Sequence, residues 1–199
     1  MFGVKENTEE KIIKATFDIL QKEGVQKATT KKIAAEAGVN EVTIFRKFEN
    51  KKNLVEITID YYMERLLGKL EDCFSFDEDE EIEVYLKGCF NGVLNFSKDD
   101  FSIIRVAMQE ISDEPDKKLL MTHITDVILN KLEEFFVLQS EKGVIKDLNP
   151  KAMAVLCHGL IFHSLMLLQI YGDSQNIEPD HFADDFLKIN LNTILSIQI

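Results

Sequence analysis

The sequence has 199 residues, of which 45% are hydrophobic and 29% charged, with only three prolines and nine glycines. This composition excludes a disordered or collagen-like chain, and the length is sufficient for one or two domains with a sizeable core. The formal net charge of −12 excludes a protein whose whole surface attracts nucleic acid.

The apolar residues recur at helical intervals, and no alternating strand-like run occurs, so we predict an all-α fold of about nine helices. The first helix is expected to begin after a cap at Asn7 or Thr8 and to end at Gly24. Its buried stripe is predicted to be Ile12, Ile13, Phe17, Ile19 and Leu20.

Three more helices are expected before residue 70. Two are short: KKIAAEA, capped by Thr29 or Thr30, and EVTIFRKF, capped by Asn40. A long fourth helix follows Asn50. The spacing places on its inner face Leu54, Ile57, Tyr61 and Arg65.

Residues 71–81, EDCFSFDEDEE, break the helical pattern and predict an acidic, solvated connector with a domain boundary after about residue 70. Later helices are predicted near 82–96, 99–112, 115–142, 150–171 and 179–197. First-turn prolines and C-terminal glycines support these bounds, namely Pro115, Pro150, Pro179, Gly143 and Gly172.

Three separated cysteines, Cys73, Cys89 and Cys157, form no CxxC motif and no metal-binding spacing. They predict a reducing, cytoplasmic compartment, with a redox switch as the alternative. The N-terminus has charges where an export signal needs an apolar core. Residues 152–171 lack charged side chains, but their histidines favour a buried helix over the alternative of a membrane span.

Positive charge is concentrated near the N-terminus. Residues 1–54 contain 11 Lys and Arg against 8 Asp and Glu, a net charge of +3, whereas the remainder has 12 against 27, a net charge of −15. This asymmetry predicts an anionic partner for the N-terminal part alone.

Residues 29–54 contain two short predicted helices around a turn with Gly38. Glycine supplies the unusual backbone conformation that such a turn needs. The apolar residues spaced to pack these helices on each other are Ile33, Ala34, Ala37, Val39, Ile44 and Phe48. This is the helix-turn-helix pattern, whose second helix enters the major groove of DNA.

The polar residues of the same segment fit that function. The residues expected to lie wholly or partly outward are Glu41, Val42, Phe45 and Lys47, with Thr43 near the start of the helix. Thr30, Lys31 and Lys51 lie at helix N-termini, where free backbone N–H groups already favour phosphate. From spacing alone, a solvated surface of lysines is an equal alternative to DNA binding.

The run TTKKIAAEAGVNEVTIFRKFENKKNL resembles the N-terminal domain of tetracycline-repressor-type (TetR/AcrR) transcriptional regulators. The resemblance covers roughly residues 8–60. It implies a helix-turn-helix DNA-binding domain in residues 1–50 and a helical effector-binding and dimerisation domain in residues 51–199. By analogy with the family it also implies repression of transcription.

The resemblance implies roles for individual residues. Those expected to contact the DNA backbone are Thr30, Lys31, Lys47 and Lys51, and those expected to read bases or touch phosphate are Glu41, Val42 and Thr43. Glu41 could accept a hydrogen bond from a cytosine amino group, and Val42 could contact a thymine methyl group. Phe45 replaces the family's usual tyrosine and therefore lacks a hydroxyl for phosphate.

The C-terminal part is expected to hold two copies together through the helices near 150–171 and 179–197, although these helices could instead complete the core of one chain. The middle helices are then expected to hold an effector pocket. Its candidate lining is Phe90, Phe101, Arg105, Met108, Met121, Phe135, His158 and Met166, all of which also suit an ordinary core.

No catalytic residue, cofactor or metal site is predicted, because His158 and His163 lie on different faces of one helix and no phosphate-loop, HExxH or GxSxG motif is present. The sequence therefore predicts a ligand-responsive regulator that binds operator DNA as a homodimer. The alternative is a dimeric small-molecule-binding or adaptor protein that does not bind DNA.

Overall fold

A computed structural model describes residues 7–108, 120–145 and 147–167, together with Asp185, Lys188, Ile189 and Asn192; the side chains of residues 107 and 108 are not described. Within these ranges the secondary structure is entirely helical. The helices are α1 Thr8–Glu23, α2 Thr30–Ala37, α3 Glu41–Phe48, α4 Lys51–Cys73, α5 Ile82–Leu94, α6 Lys98–Met108, α7 Leu120–Glu141 and α8 Pro150–Leu165. The all-α prediction is confirmed.

Most predicted bounds agree with these helices to within two residues. The end predicted for α6 at 112, the start predicted for α7 at 115 and the end predicted for α8 at 171 fall outside the described ranges. So does the helix predicted at 179–197, apart from its four described residues, which are helical.

Helix α1 begins and ends where its capping residues predict. The Asn7 side chain accepts a hydrogen bond from the Glu10 backbone N–H at 2.9 Å, and the Glu10 carboxylate accepts one from the Asn7 backbone at 2.9 Å. This capping box satisfies two backbone donors that would otherwise lack partners. The helix ends at Gly24 with a φ of 77°. Its predicted buried stripe is confirmed, because all five residues lie in the core.

The inner face predicted for α4 is wrong except at Leu54. Ile57 and Tyr61 are 36% and 38% exposed, and Arg65 is exposed, with its guanidinium over the Tyr61 ring. The buried face is instead Leu54, Val55, Thr58, Met63, Leu66 and Leu70. Thr58 can be buried because its hydroxyl donates to the Leu54 carbonyl at 2.7 Å, which removes the cost of an unpaired polar group.

The connector predicted at 71–81 begins later than expected, because α4 continues to Cys73 and Phe74 is fully buried. Its backbone accepts hydrogen bonds from three later side chains, one of them the Lys142 ammonium, which donates to the Glu78 carbonyl. The Tyr85 hydroxyl donates to the Phe74 carbonyl at 3.0 Å, and the Gln139 amide donates to the Glu80 carbonyl at 3.2 Å. The acidic stretch is therefore exposed at its side chains but fixed along its backbone.

The chain divides into two compact units. One contains α1 to α3, α4 up to Leu66 and the part of α6 that begins at Ser102; the other begins at Leu67, includes α5, and contains α7 and α8. In the second unit α7 packs against α8. Its centre is an aromatic cluster in which the Phe135 ring lies 3.9 Å from that of Tyr85 and 5.3 Å from that of Phe76, measured between centroids.

Candidate nucleic-acid interface

The turn between α2 and α3 has the geometry that its glycine predicts. Gly38 adopts φ 65° and ψ 35°, the left-handed conformation. The Val39 backbone then donates to the Ala34 carbonyl at 2.9 Å, which closes the end of α2. The Asn40 side chain accepts from the Val42 N–H at 2.9 Å and so begins α3. Only three residues separate the two helices.

The predicted packing of α2 on α3 is confirmed. Ile33 and Ile44 are fully buried and Phe48 is 3% exposed, in one core cluster with residues of α1 and α4. Ala37 and Val39 are partly buried against the same cluster. Burial of this inner face determines which residues of α3 face the solvent.

Two apolar side chains lie on the solvent side of α3. Val42 is 70% exposed and Phe45 is 47% exposed. They stand three residues apart, so they are neighbours on one face of the helix. Glu41, Thr43 and Lys47 are half-buried beside them.

The polar candidates at this surface make contacts within the chain. The Thr30 hydroxyl donates to the Glu41 carboxylate at 2.5 Å, joining the starts of α2 and α3. The Lys47 ammonium lies 3.5 Å from the Glu9 carboxylate of α1. These contacts hold the side chains in place, but an exposed pair such as Lys47 and Glu9 stabilises the fold by only ~0–1 kcal/mol.

The Lys51 ammonium donates to the Val25 carbonyl at 3.0 Å, so the first residue of α4 is tied to the loop after α1. An ammonium group has three donors, which leaves two for a phosphate. Its neighbour Lys52 lies 3.7 Å from Glu56 along the same helix.

Of the four cations on α2 and α3, two exposed ones have no ion pair within the described residues, Lys31 on α2 and Arg46 on α3. Lys31 was predicted to contact DNA, whereas Arg46 was not among the predicted contacts. Helical spacing would have predicted its exposure, because Arg46 stands four residues after Val42 and one after Phe45, on the same outward side. Both cations are available to phosphate.

The comparison with protein families agrees with this geometry. Residues 12–57 match the model described as bacterial regulatory proteins, tetR family. Residues 12–57 are therefore similar to the N-terminal domain of the TetR family. The match spans α1 to α3 and the start of α4, the segment in which the helix-turn-helix lies.

The chain is also similar in sequence to individual bacterial proteins. It is 29% identical over 158 residues to the uncharacterized HTH-type transcriptional regulator YvkB of Bacillus subtilis, covering 78% of this chain and 79% of that protein. It is 32% identical over 76 residues to the nucleoid occlusion factor SlmA of Vibrio cholerae, covering 38% of this chain and 39% of that protein. The SlmA match therefore spans well under half of either chain.

The fold matches solved TetR-family structures over nearly the whole chain. SmeT, the repressor of the Stenotrophomonas maltophilia multidrug efflux pump SmeDEF, superposes with a TM-score of 0.65 at 15% identity, covering 96% of this chain and 90% of that one. The SmeT–triclosan complex gives a TM-score of 0.64 at 17% identity, covering 94% and 90%. At this identity the likeness shows the shared architecture. The chain is therefore similar to helix-turn-helix transcriptional regulators in its N-terminal sequence and shares the fold of TetR-family structures.

The residues predicted to line a pocket have differing environments. Phe90, Phe101, Phe135 and Met166 are buried, and Met121 and His158 are half-buried. Arg105 is exposed, and the Met108 side chain lies outside the described residues. The His158 ring stacks on Phe162 with centroids 5.8 Å apart, and burial lowers the pKa of His158 below its ordinary value.

The apolar stretch that begins at residue 152 falls largely in α8. No helix in the described part of the chain combines the length and apolar character needed to cross a membrane.

Proposed function

We propose that this protein is a homodimeric repressor of the TetR family that binds operator DNA and that a small-molecule effector releases. The observation that carries the proposal is the solvent-facing side of α3, which a rigid turn at Gly38 presents beside two unpaired cations. In a helix-turn-helix the second helix lies in the major groove, and flanking cations bind phosphate. Residues 1–50 are assigned to DNA and residues 51–199 to effector binding and dimerisation.

The DNA contacts divide into two kinds. Thr30, Lys31, Lys47 and Lys51 position the protein on phosphate, and Arg46 joins them. Glu41, Val42, Thr43 and Phe45 lie where α3 meets the base edges or the adjoining backbone. The Glu41 carboxylate is held by Thr30, so its direction is fixed before DNA arrives.

Dimerisation is supported by an apolar face on α8. Val155 and Leu156 are 52% and 46% exposed, and Gly159 and Phe162 continue this face at helical spacing. A monomer gains nothing from exposing such a face, whereas a second copy would bury it. Two copies also place two α3 helices on DNA, and the half-sites they require are ~34 Å apart.

Effector release and repression are supported by the fold match to SmeT, a repressor whose complex with triclosan is known. The effector pocket is proposed to be lined by the residues predicted from the sequence, namely Phe90, Phe101, Arg105, Met108, Met121, Phe135, His158 and Met166. A bound effector would shift α4, which begins at the DNA-facing Lys51. A cytoplasmic location follows from the proposed access to chromosomal DNA.

The decisive experiment is a fluorescence-anisotropy titration with duplexes from the region upstream of its own gene, combined with sedimentation. We expect a dimer that binds one duplex segment with a footprint of two half-sites. Leu156→Arg should yield monomers with weak operator binding, because a charge enters the shared face. Val84→Arg is the matched control, since Val84 is 55% exposed on α5 and should leave the dimer intact.

A monomer that fails to bind any duplex at low salt would overturn the proposal. A dimer that fails to bind DNA would favour the adaptor function instead. An effector should be recognisable as a compound that raises the melting temperature of the protein. Such a compound should also weaken operator binding by about 5- to 150-fold, the factor that typical coupling energies produce. A stabilising compound without such an effect would contradict release.

A further inference from the structure

We infer that α3 reads thymine by its 5-methyl group, through an apolar reading pair formed by Val42 and Phe45. The inference rests on the proposed DNA binding and specifies which base edges the site prefers. Val42, at 70%, is the most exposed large hydrophobic side chain in the described part of the protein, and Phe45 is 47% exposed. Both are exposed, whereas Ile44 and Phe48 of the same helix are buried.

Three neighbouring polar side chains already make contacts within the chain. Glu41 accepts a hydrogen bond from Thr30 at 2.5 Å, and Lys47 lies 3.5 Å from Glu9. The Asn40 side chain is used as the N-cap of α3, accepting from the Val42 N–H at 2.9 Å. Apart from the Arg46 guanidinium and the Thr43 hydroxyl, the outward side chains at the start and middle of α3 that have no polar partner within the described chain are Val42 and Phe45.

The chemistry of the major groove determines what this pair can contact. Among the four unmodified bases, only thymine presents an apolar group at the major-groove edge, its 5-methyl. The Phe45 ring has no hydroxyl with which to bind phosphate, so its exposed edge gains only from apolar contact. Lys31 and Arg46 supply the phosphate contacts that hold α3 in the groove.

The spacing of the reading pair limits the arrangement of the thymines. Side chains three residues apart on a helix have Cβ atoms ~5–6 Å apart. Successive base pairs are separated by ~3.4 Å along the duplex axis. The two methyl groups should therefore lie no more than about two base pairs apart within each half-site, on either strand.

The test replaces each thymine of the footprinted duplex with deoxyuridine, which removes only the methyl group. We expect affinity to fall about fourfold per methyl at two neighbouring positions in each half-site, the effect of one buried methyl or methylene group. Substitutions elsewhere in the duplex should have no effect. Because the change is in the DNA, the fold of the protein is not disturbed.

Protein variants then assign the effect to residues. Val42→Ala and Phe45→Ala should each remove the deoxyuridine sensitivity at one position. Lys31→Ala is the control and should weaken binding to all duplexes equally while keeping both sensitive positions. Circular dichroism melting should show all three variants folded, since the substituted side chains lie at the surface.

The outcomes separate the inference from the function on which it rests. If the wild type binds its operator with no sensitive thymine, methyl reading is wrong and DNA binding stands. If the sensitivity persists in the Val42→Ala, Phe45→Ala double variant, it arises from duplex deformability and methyl reading is again wrong. If no duplex binds, both the proposed function and this inference fail.

Discussion

The Thr30 hydroxyl donates a hydrogen bond of 2.5 Å to the Glu41 carboxylate, which connects the first residue of α2 to the first residue of α3. The two residues are eleven positions apart, and both belong to the surface assigned to DNA. The contact therefore orients the start of the recognition helix before DNA is present. Preorganisation of this kind reduces the ordering cost of binding.

Thr30→Val should test that contact, since valine keeps the shape and β-branching of threonine but removes the donor. We expect the free energy of unfolding to fall by ~1 kcal/mol, the effect of one partly buried hydrogen bond to a charged group after allowance for solvent. Urea denaturation measures the change. Thr43→Val is the matched control, because Thr43 makes no side-chain hydrogen bond with any described residue; equal losses in both variants would exclude a specific role for the Thr30 hydroxyl.

Asp100 is predicted to stabilise the start of α6. Its carboxylate accepts from the Lys69 ammonium at 2.7 and 2.6 Å, and from the Ser97 backbone and hydroxyl at 2.8 and 2.6 Å. Asp100→Asn should lower the free energy of unfolding at pH 7 by roughly 1–2 kcal/mol, because a capping contact and a partly exposed ion pair are lost. Asp99→Asn removes the same charge from an exposed neighbour in the same turn and should change stability by less than about 0.5 kcal/mol.

The Asp100 carboxylate should also make the free energy of unfolding depend on pH. Burial raises the pKa of Asp100, but hydrogen bonds from Lys69 and Ser97 outweigh burial, so its pKa lies below the ordinary 3.8. The unfolded chain then binds the proton first, and the stabilisation present above pH 3.8 is lost as the pH falls through the folded pKa. Urea titrations between pH 5 and pH 3 should show this loss in the wild type and a smaller loss in Asp100→Asn. Equal slopes would show that Asp100 is not responsible.

Position 92 of α5 should tolerate only glycine, because the Cys73 side chain occupies the space that a Cβ atom would need. A Cβ added at Gly92 would lie 2.5 Å from the Cys73 sulfur, whereas one added at Gly88 would have no atom within 4 Å. Gly92→Ala is therefore expected to destabilise the protein by ~1–2 kcal/mol, and Gly88→Ala to stabilise it by ~0.5–1 kcal/mol as helix propensity predicts. A Cys73→Ala background should remove the penalty at position 92. A penalty that persists in the double variant would place the clash elsewhere.

The three cysteines should react slowly in the folded protein. Burial raises the pKa of Cys73 to about 11 and that of Cys157 to about 12, and it raises the pKa of Cys89 as well. Since the thiolate is the nucleophile, alkylation by iodoacetamide at pH 7.5 should be about a hundredfold slower than for a free cysteine. Mass spectrometry should find Cys73, which is half-buried, labelled first, and all three labelled in urea. Rapid labelling of Cys89 or Cys157 in the folded state would instead support a redox switch.

The sequence predicted features that local rules determine. Asn7 as a cap, Gly38 in the left-handed turn and the buried Ile44 each depend on residues within a few positions, and the structure agrees with all three. The predicted inner face of α4 was wrong in part because Thr58 is buried. Its hydroxyl donates a hydrogen bond to the Leu54 carbonyl, and a pattern of hydrophobic residues does not reveal such a contact.

Contacts between distant positions could not be predicted in the same way. The Lys51 ammonium binds the Val25 carbonyl, 26 residues earlier, and Thr30 binds Glu41 across the turn. Each depends on how two helices meet, which one sequence does not specify. Arg46 is different, because helical spacing alone would have placed it on the outward side of α3.

His158 should give the protein a second dependence on pH, nearer neutrality. Burial lowers its pKa below the ordinary 6.5, and its ring stacks on Phe162. The unfolded chain therefore binds a proton near pH 6.5 while the folded chain does not, so stability should fall as the pH drops below that value. One such proton can contribute a slope of at most ~1.4 kcal/mol per pH unit.

Urea denaturation from pH 7.5 downward measures the slope, and His158→Gln should flatten it just below pH 6.5. His163→Gln is the matched substitution at an exposed position on the same helix. If His158→Gln retained the full slope, another group would have to bind the proton, and the burial of His158 would have no consequence for stability.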